Sequence, residues 1–315
     1  MSKVRVLFLG TPQFACASLQ QLIDDEHYEV VGVVSQPDRK SGRKMKLQAS
    51  PVKVLAQSYD IPIITPESVN TDEVLAILKK WNAEAAVVVA FGQILSQKFL
   101  DLFPLRVVNV HASLLPRWRG AAPIQRAIMA GDKVTGVALQ VMVKKLDAGD
   151  ILGVRKVNLN DQKNANQLHD ELAILGADLL HVEFMDYLRG NLTPVPQDES
   201  LVTYAPKIEK SEGQLDFNLS ASELHRKVLG LSMGPGCYSF LNGKKIKIHK
   251  TRISSQSYKV TPGQIVEVGD GIRVQCGQDC LEILELQPES RPRMPFKEYL
   301  KGYPLEVGQV LTVSC

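Results

Sequence analysis

The sequence predicts an α/β protein built on a doubly wound, mainly parallel sheet and followed by a small C-terminal β-barrel. Two observations lead there. In the first half, short apolar runs rich in β-branched residues, 4–9, 30–34, 85–90 and 107–110, alternate with amphipathic stretches, as parallel strands covered by helices on both faces do. After Gly190 the pattern changes to short alternating runs flanking Asn242-Gly243 and Asp270-Gly271, dipeptides that favour hairpin turns.

The helices follow from their start and stop residues. Stretches 13–23, 51–59 and 71–81 carry the helical period, the last with Asp72 and Glu73 where the helix dipole favours acids. Residues 123–130 open on proline and stop at Gly131. Residues 137–143 read as a further strand, and 165–188 as one long helix with Leu168, Leu172, Leu175, Leu179 and Val182 at helical spacing. Pro194, Pro196 and Pro206 sit in an aperiodic stretch, 191–214, that reads as a linker. A helix over 220–229 then precedes the barrel strands. The expected organisation is thus a catalytic domain over 1–190, a linker over 191–214 and a barrel domain over 215–315.

A chain of 315 residues, 44% hydrophobic and 23% charged, suits two ordinary globular domains. Its net charge of +3 is small, so a nucleic acid would have to meet a local basic patch. Cys16, Cys237, Cys276, Cys280 and Cys315 fit no zinc pattern. Reduced thiols and a cytoplasmic location are the expectation, since the first apolar run is too short for a signal peptide and no stretch reaches the roughly eighteen apolar residues of a membrane span. Gly10-Thr11-Pro12 lacks the glycine pattern of a dinucleotide fold, which argues against bound NAD or ATP.

The chemistry concentrates after residue 106. The strand over 107–110 leads into Asn109 and His111, whose side chains alternation places on one face. A carboxamide donor beside a titratable imidazole suits a reaction in which charge grows on an oxygen while a proton moves nearby, as in acyl transfer. Asp147, in Leu-Asp-Ala-Gly-Asp, can orient the imidazole, with Asp150 as its competitor. No Gly-x-Ser-x-Gly elbow is present, so the nucleophile is expected to come from the substrate.

Asn-Val-His-Ala-Ser-Leu-Leu-Pro at 109–116, Arg-Gly-Ala-Ala-Pro at 119–123 and Asp-Ala-Gly-Asp at 147–150 resemble the folate-dependent formyltransferases. The likeness runs over nearly the whole chain, including Gln36-Pro37-Asp38-Arg39, Ala90-Phe91-Gly92 and Thr203-Tyr204-Ala205. It implies a Rossmann-like catalytic domain, an OB-like C-terminal barrel, and a catalytic triad of Asn109, His111 and Asp147. It further implies a donor site for 10-formyltetrahydrofolate at Ser113, Leu114, Leu115, Pro116, Phe91 and Gly92, with no metal. The acceptor implied is the α-amino group of initiator methionyl-tRNA, bound by a monomer without a membrane.

The basic run Arg39, Lys40, Arg43, Lys44 and Lys46 lacks periodicity and reads as a loop on the rim of the cleft. The resemblance makes it a grip on the tRNA acceptor stem. Arg117 and Arg119 flank Trp118, and two guanidiniums beside an aromatic can meet phosphate or a base, with Arg119 partly structural. Lys244, Lys245, Lys247 and Lys250 alternate along a strand, where they either discourage edge pairing or touch tRNA backbone. Where such proteins commonly carry Pro-Trp-Pro, this chain has Ser232-Met233-Gly234-Pro235-Gly236. The rival readings are a formyltransferase for a purine-pathway amine or an amino sugar nucleotide, and a noncatalytic nucleic-acid-binding protein.

Overall fold

A computed structural model of the chain describes residues 2–41 and 46–313. Two compact units emerge, one of Met1–Pro123, Thr135–Val157 and His169–Ala205, the other of Ile124–Val134, Asn158–Leu168 and Pro206–Cys315.

The first unit is organised by a seven-stranded sheet. In spatial order its strands are Ile151–Asn158, Val134–Val141, Val107–His111, Ala85–Val89, Val4–Gly10, Tyr28–Val34 and Ile63–Ile64. The pairings among the last five are parallel, and Val107–His111 meets Val134–Val141 antiparallel. The expected doubly wound, mainly parallel sheet is therefore present, and Gly10, Ala90 and His111 lie at the C-terminal ends of their strands, where ligands collect.

Local chemistry fixes the helices that cover it. Ser50 caps Pro51–Ser58 by accepting the Lys53 amide at 3.0 Å, with proline in the first turn. Thr71 does the same for Asp72–Lys80. Helix Gln13–Asp24 buries Phe14, Ala15, Leu19 and Leu22, and Leu7, Leu9, Ala86, Val88 and Phe99 pack into a shared apolar core.

Three elements differ from expectation. The helix from Ala165 stays α-helical only to Leu179, turns once as a π-helix over Leu180–Phe184, and resumes over Met185–Leu188. Leu179, Leu180 and Phe184 are all fully buried there. The strand Ile151–Asn158 has no clear signal in the sequence, because Arg155 and Lys156 interrupt its apolar character. The basic run expected as a loop instead forms two antiparallel strands, Arg39–Ser41 and Lys46–Gln48, with Lys40 opposite Leu47. Arg43 and Lys44 lie outside the described residues.

In the second unit an antiparallel sheet runs in the order Ile265–Val268, Ile272–Gln275, Cys280–Pro288, Lys244–Ser254, Cys237–Leu241 and Leu311–Thr312. Asn242 and Gly243 both take positive φ, 50° and 72°, as a tight hairpin turn requires. Ile246, Ile248, Ile265, Ile283 and Leu286 point inward around one core with Leu224 and Val228 of helix Ala221–Gly230. Met129, from helix Pro123–Ala130, packs against that same core. Among the described residues no helix is long and apolar enough to cross a membrane.

Candidate active site

Asn109 and His111 stand on one face of Val107–His111 and are nearly buried, at 8% and 7% exposure. Across the antiparallel pairing Asn109 faces Gln140 and His111 faces Ala138, which brings the Gln140 side chain alongside Asn109. Asp147 sits on the turn that follows, held at φ 45°. Its Oδ2 accepts the Gly120 amide at 2.8 Å and its Oδ1 accepts Gln140 Nε2 at 3.3 Å. His111 Nδ1 is 3.7 Å from Asp147 Oδ2. On the ring's other side Nε2 lies 2.9 Å from the Trp118 carbonyl. A carbonyl only accepts, so Nε2 carries the hydrogen in that bond.

The loop after His111 is pinned by its own backbone. The Ser113 amide donates to the His111 carbonyl at 2.8 Å, and Ser113 Oγ, fully buried, donates to the Arg117 carbonyl at 2.7 Å. Leu115 precedes a cis Pro116 and is buried, whereas Leu114 and Pro116 are half-buried. The Arg117 guanidinium stacks 4.1 Å from the Trp118 ring centroid. Trp118 and Gly120 take φ of 70° and 120°, and a Cβ on Gly120 would come 2.9 Å from the Ala205 carbonyl oxygen. The close approach is a parallel pairing of Arg119–Gly120 with Tyr204–Ala205.

Phe91 is placed differently from the other donor-site candidates, since its ring is buried in the core. Only its backbone faces the strand ends. Its carbonyl accepts Thr11 Oγ1 and Gln36 Nε2, each at 3.1 Å, and ties three crossover loops together. Gly92 follows at φ 85°, with only Gln36 near the position of a Cβ. On the hairpin, Arg39, Lys40 and Lys46 are exposed. The Lys53–Asp38 pair at 2.9 Å anchors its base.

Four further residues complete the cluster; the sequence singles out Arg119 beside Trp118, but not Gln140, Gln197 or Glu199. Gln140 lies inside an apolar run and carries no signal. Arg119, at 0% exposure, donates through Nε and Nη2 to Gln197 Oε1 at 3.1 and 2.8 Å, and through Nη2 to Glu199 Oε1 at 2.8 Å. Glu199 also accepts Lys145 Nζ at 2.6 Å. Hydrogen bonds from Arg119 and then Lys145 hold its carboxyl down at about 2. Gln197 Nε2 in turn donates to the carbonyls of Asp147 at 2.8 Å and Gly149 at 2.7 Å. Gln197 and Glu199 come from the stretch that reads as a linker. The hint is Arg119 itself, since a guanidinium in a site loop calls for acceptors from elsewhere in the chain.

Comparison with known proteins gives the family. Residues 2–182 match the formyl transferase family and residues 207–304 its C-terminal domain. A methionyl-tRNA formyltransferase of Bdellovibrio bacteriovorus is 57% identical over 99% of this chain and 100% of its own length. Another from Caldanaerobacter subterraneus is 42% identical, covering 98% and 100%. Among solved structures, the sugar 3N-formyl transferase WlaRD aligns with a TM-score of 0.68 at 17% identity, over 93% of this chain and 100% of that one. HypX of Aquifex aeolicus with tetrahydrofolic acid aligns at 0.63 and 18% identity, over 99% and 51%. These two likenesses are of fold. The chain belongs to the formyl transferase family and, within it, to the methionyl-tRNA formyltransferases.

Proposed function

We propose that the protein transfers the formyl group of 10-formyltetrahydrofolate to the α-amino group of methionine carried on initiator tRNA. The carrying observation is that Asn109 and His111 share one face of the strand Val107–His111 with Asp147 3.7 Å from His111, in a chain whose full-length relatives at 42% and 57% identity are named methionyl-tRNA formyltransferase. An α-amino group titrates near pH 8 and esterification lowers it further, so much of the nucleophile is neutral at pH 7. Its nitrogen attacks the formyl carbon, the new C–N bond forms, and the bond to N10 of the folate breaks. A proton leaves the amine and N10 takes one up. The carbonyl oxygen carries negative charge in between, and Asn109 and His111 are the donors that would meet it. Asp147 orients His111.

The donor is assigned to Ser113, Leu114, Leu115, Pro116, the Phe91 backbone and Gly92. For tRNA we assign Arg39, Lys40, Arg43, Lys44, Lys46 and Arg117, with residues 1–190 as the catalytic domain, 191–214 as linker and 215–315 as a tRNA-binding barrel. The C-terminal unit offers aromatic and basic groups on one outer face: Tyr238 opposite Lys247, Phe240 opposite Lys245, and Lys245 Nζ 3.6 Å over the Tyr238 ring. The protein works as a cytoplasmic monomer in this reading.

The test is a choice of acceptor. Purified protein with the formyl donor is offered methionyl initiator tRNA, glycinamide ribonucleotide or an amino sugar nucleotide, and formylated product is counted. Turnover of the tRNA alone is the expected result. Turnover of either small amine in its place overturns the assignment.

A further inference from the structure

We infer that Gln197 is a positioning residue for the reaction, acting through the backbone of the Asp147 turn. The inference rests on the proposed formyl transfer and adds to it a residue outside the triad.

The chain delivers Gln197 to the site by pairing. Val195 bridges Ile151 with two backbone hydrogen bonds, 2.8 and 2.9 Å, and Gln197 follows two residues later. Its carboxamide is held in one orientation by what surrounds it. Oε1 accepts two N–H groups of Arg119, so Nε2 must be the donor, and it reaches the carbonyls of Asp147 and Gly149 together. Arg119 itself is held, because it is fully buried and bonds both Gln197 and Glu199.

The Asp147 turn needs such a clamp. Asp147 has a left-handed φ of 45°, a conformation that a non-glycine residue leaves readily when its surroundings allow. Gly149 is pressed so close to Val141 that a Cβ would stand 1.6 Å from the Val141 carbonyl oxygen. With Nε2 removed, the Asp147 and Gly149 carbonyls, the latter in a buried residue, lose that donor. The carboxylate then loses its fixed approach to His111 and to the Gly120 amide, while no group facing either substrate has changed. The consequence belongs in kcat and not in KM.

The experiment is a double-mutant cycle on full-length protein with methionyl-tRNA and formyl donor. Gln197→Glu keeps the side chain's shape and its acceptor for Arg119 but replaces the donor by an acceptor. We expect kcat to fall about 10- to 100-fold, the scale of an ångström-level misplacement, with both KM values within about twofold of wild type. In an Asp147→Asn background the same change should alter kcat little, since it acts through Asp147. If Gln197→Glu does not fold, Gln197→Asn carries the cycle, with a smaller loss of kcat that again vanishes beside Asp147→Asn. Equal kcat losses in the two backgrounds, or a loss confined to KM, would overturn the positioning role. Absence of formyl transfer by the wild-type protein would instead defeat the proposed function.

Discussion

The imidazole of His111 is fixed from both sides, by the Trp118 carbonyl 2.9 Å from Nε2 and by Asp147 3.7 Å from Nδ1. For Nε2 to meet the developing oxyanion it must exchange the Trp118 carbonyl for it. That carbonyl belongs to a residue at φ 70° whose amide donates to Thr203 Oγ1 at 3.0 Å, so the competing acceptor is itself held in place. His111→Ala and Asn109→Ala should each lower kcat by about 10² to 10³, the cost of one oxyanion donor, with circular dichroism unchanged. Wild-type turnover in either variant would remove that residue from the mechanism.

Gly149→Ala should damage the turn sterically where Gln197 variants damage it by hydrogen bonding. The added methyl would meet the Val141 carbonyl at 1.6 Å, so the backbone has to move. Overpacking of this kind costs about 1 to 3 kcal/mol. A lowered Tm together with reduced kcat is expected, and a variant that matches wild type in both would show that the turn tolerates displacement.

Neutralising Arg39, Lys40 and Lys46 together should raise KM for methionyl-tRNA and leave donor binding unchanged. All three are exposed on the hairpin, and every phosphate that is no longer neutralised should reduce the log-log salt dependence by about one unit. Binding titrations at several salt concentrations measure that slope directly. An unaltered slope would make the hairpin a solvated surface feature.

Glu199 supplies a pH signature. Its carboxyl is lowered from 4.5 to about 2 by hydrogen bonds from Arg119 and Lys145. A depressed carboxylate favours the fold in its ionised form, so its contribution is complete above pH 4.5 and is lost as the pH falls toward 2. Thermal melts between pH 7 and pH 3 should therefore decline less steeply in Glu199→Gln than in wild type, from a lower starting Tm. Parallel curves for the two proteins would count against the coupling.

A fragment ending at Lys207 should fold imperfectly. It retains residues 124–134 and 158–168 but lacks the rest of their compact unit, including the core that covers Met129 and the Glu212 that pairs with Arg126 at 2.6 Å. His225, whose Nε2 meets the Asp161 carbonyl at 2.7 Å, also goes. We expect the fragment to melt about 5–10 °C below the full chain, as a loss of about 2 to 3 kcal/mol would produce at this size, and to bind a hydrophobic dye. A fragment with the Tm of the full chain and no dye binding would show that those pieces need no cover.

Much of this is legible from residue order alone. The apolar strand runs, the Ser50 and Thr71 caps and the hairpin at Asn242-Gly243 are local signals, and Asn109 and His111 share a face through strand alternation. Asp147 needs the motif around it. Gln140 and Gln197 are not legible, for different reasons: the first hides among buried apolar neighbours, and the second meets Asp147 across fifty residues of chain through a bridge at Val195 that no periodicity announces. The π turn at Leu180–Phe184 escapes because the leucine-rich spacing suits either helix.

The parallel pairing of Arg119–Gly120 with Tyr204–Ala205 has a practical meaning for anyone who recombines such proteins. A chimera joined at Gly190 would import a foreign partner for the loop that carries Trp118, together with a foreign residue in place of Gln197. One joined just after Ala205 keeps the native strand beside that loop. Of these two seams, the one after Ala205 leaves Gln197 and the strand Tyr204–Ala205 with the active site.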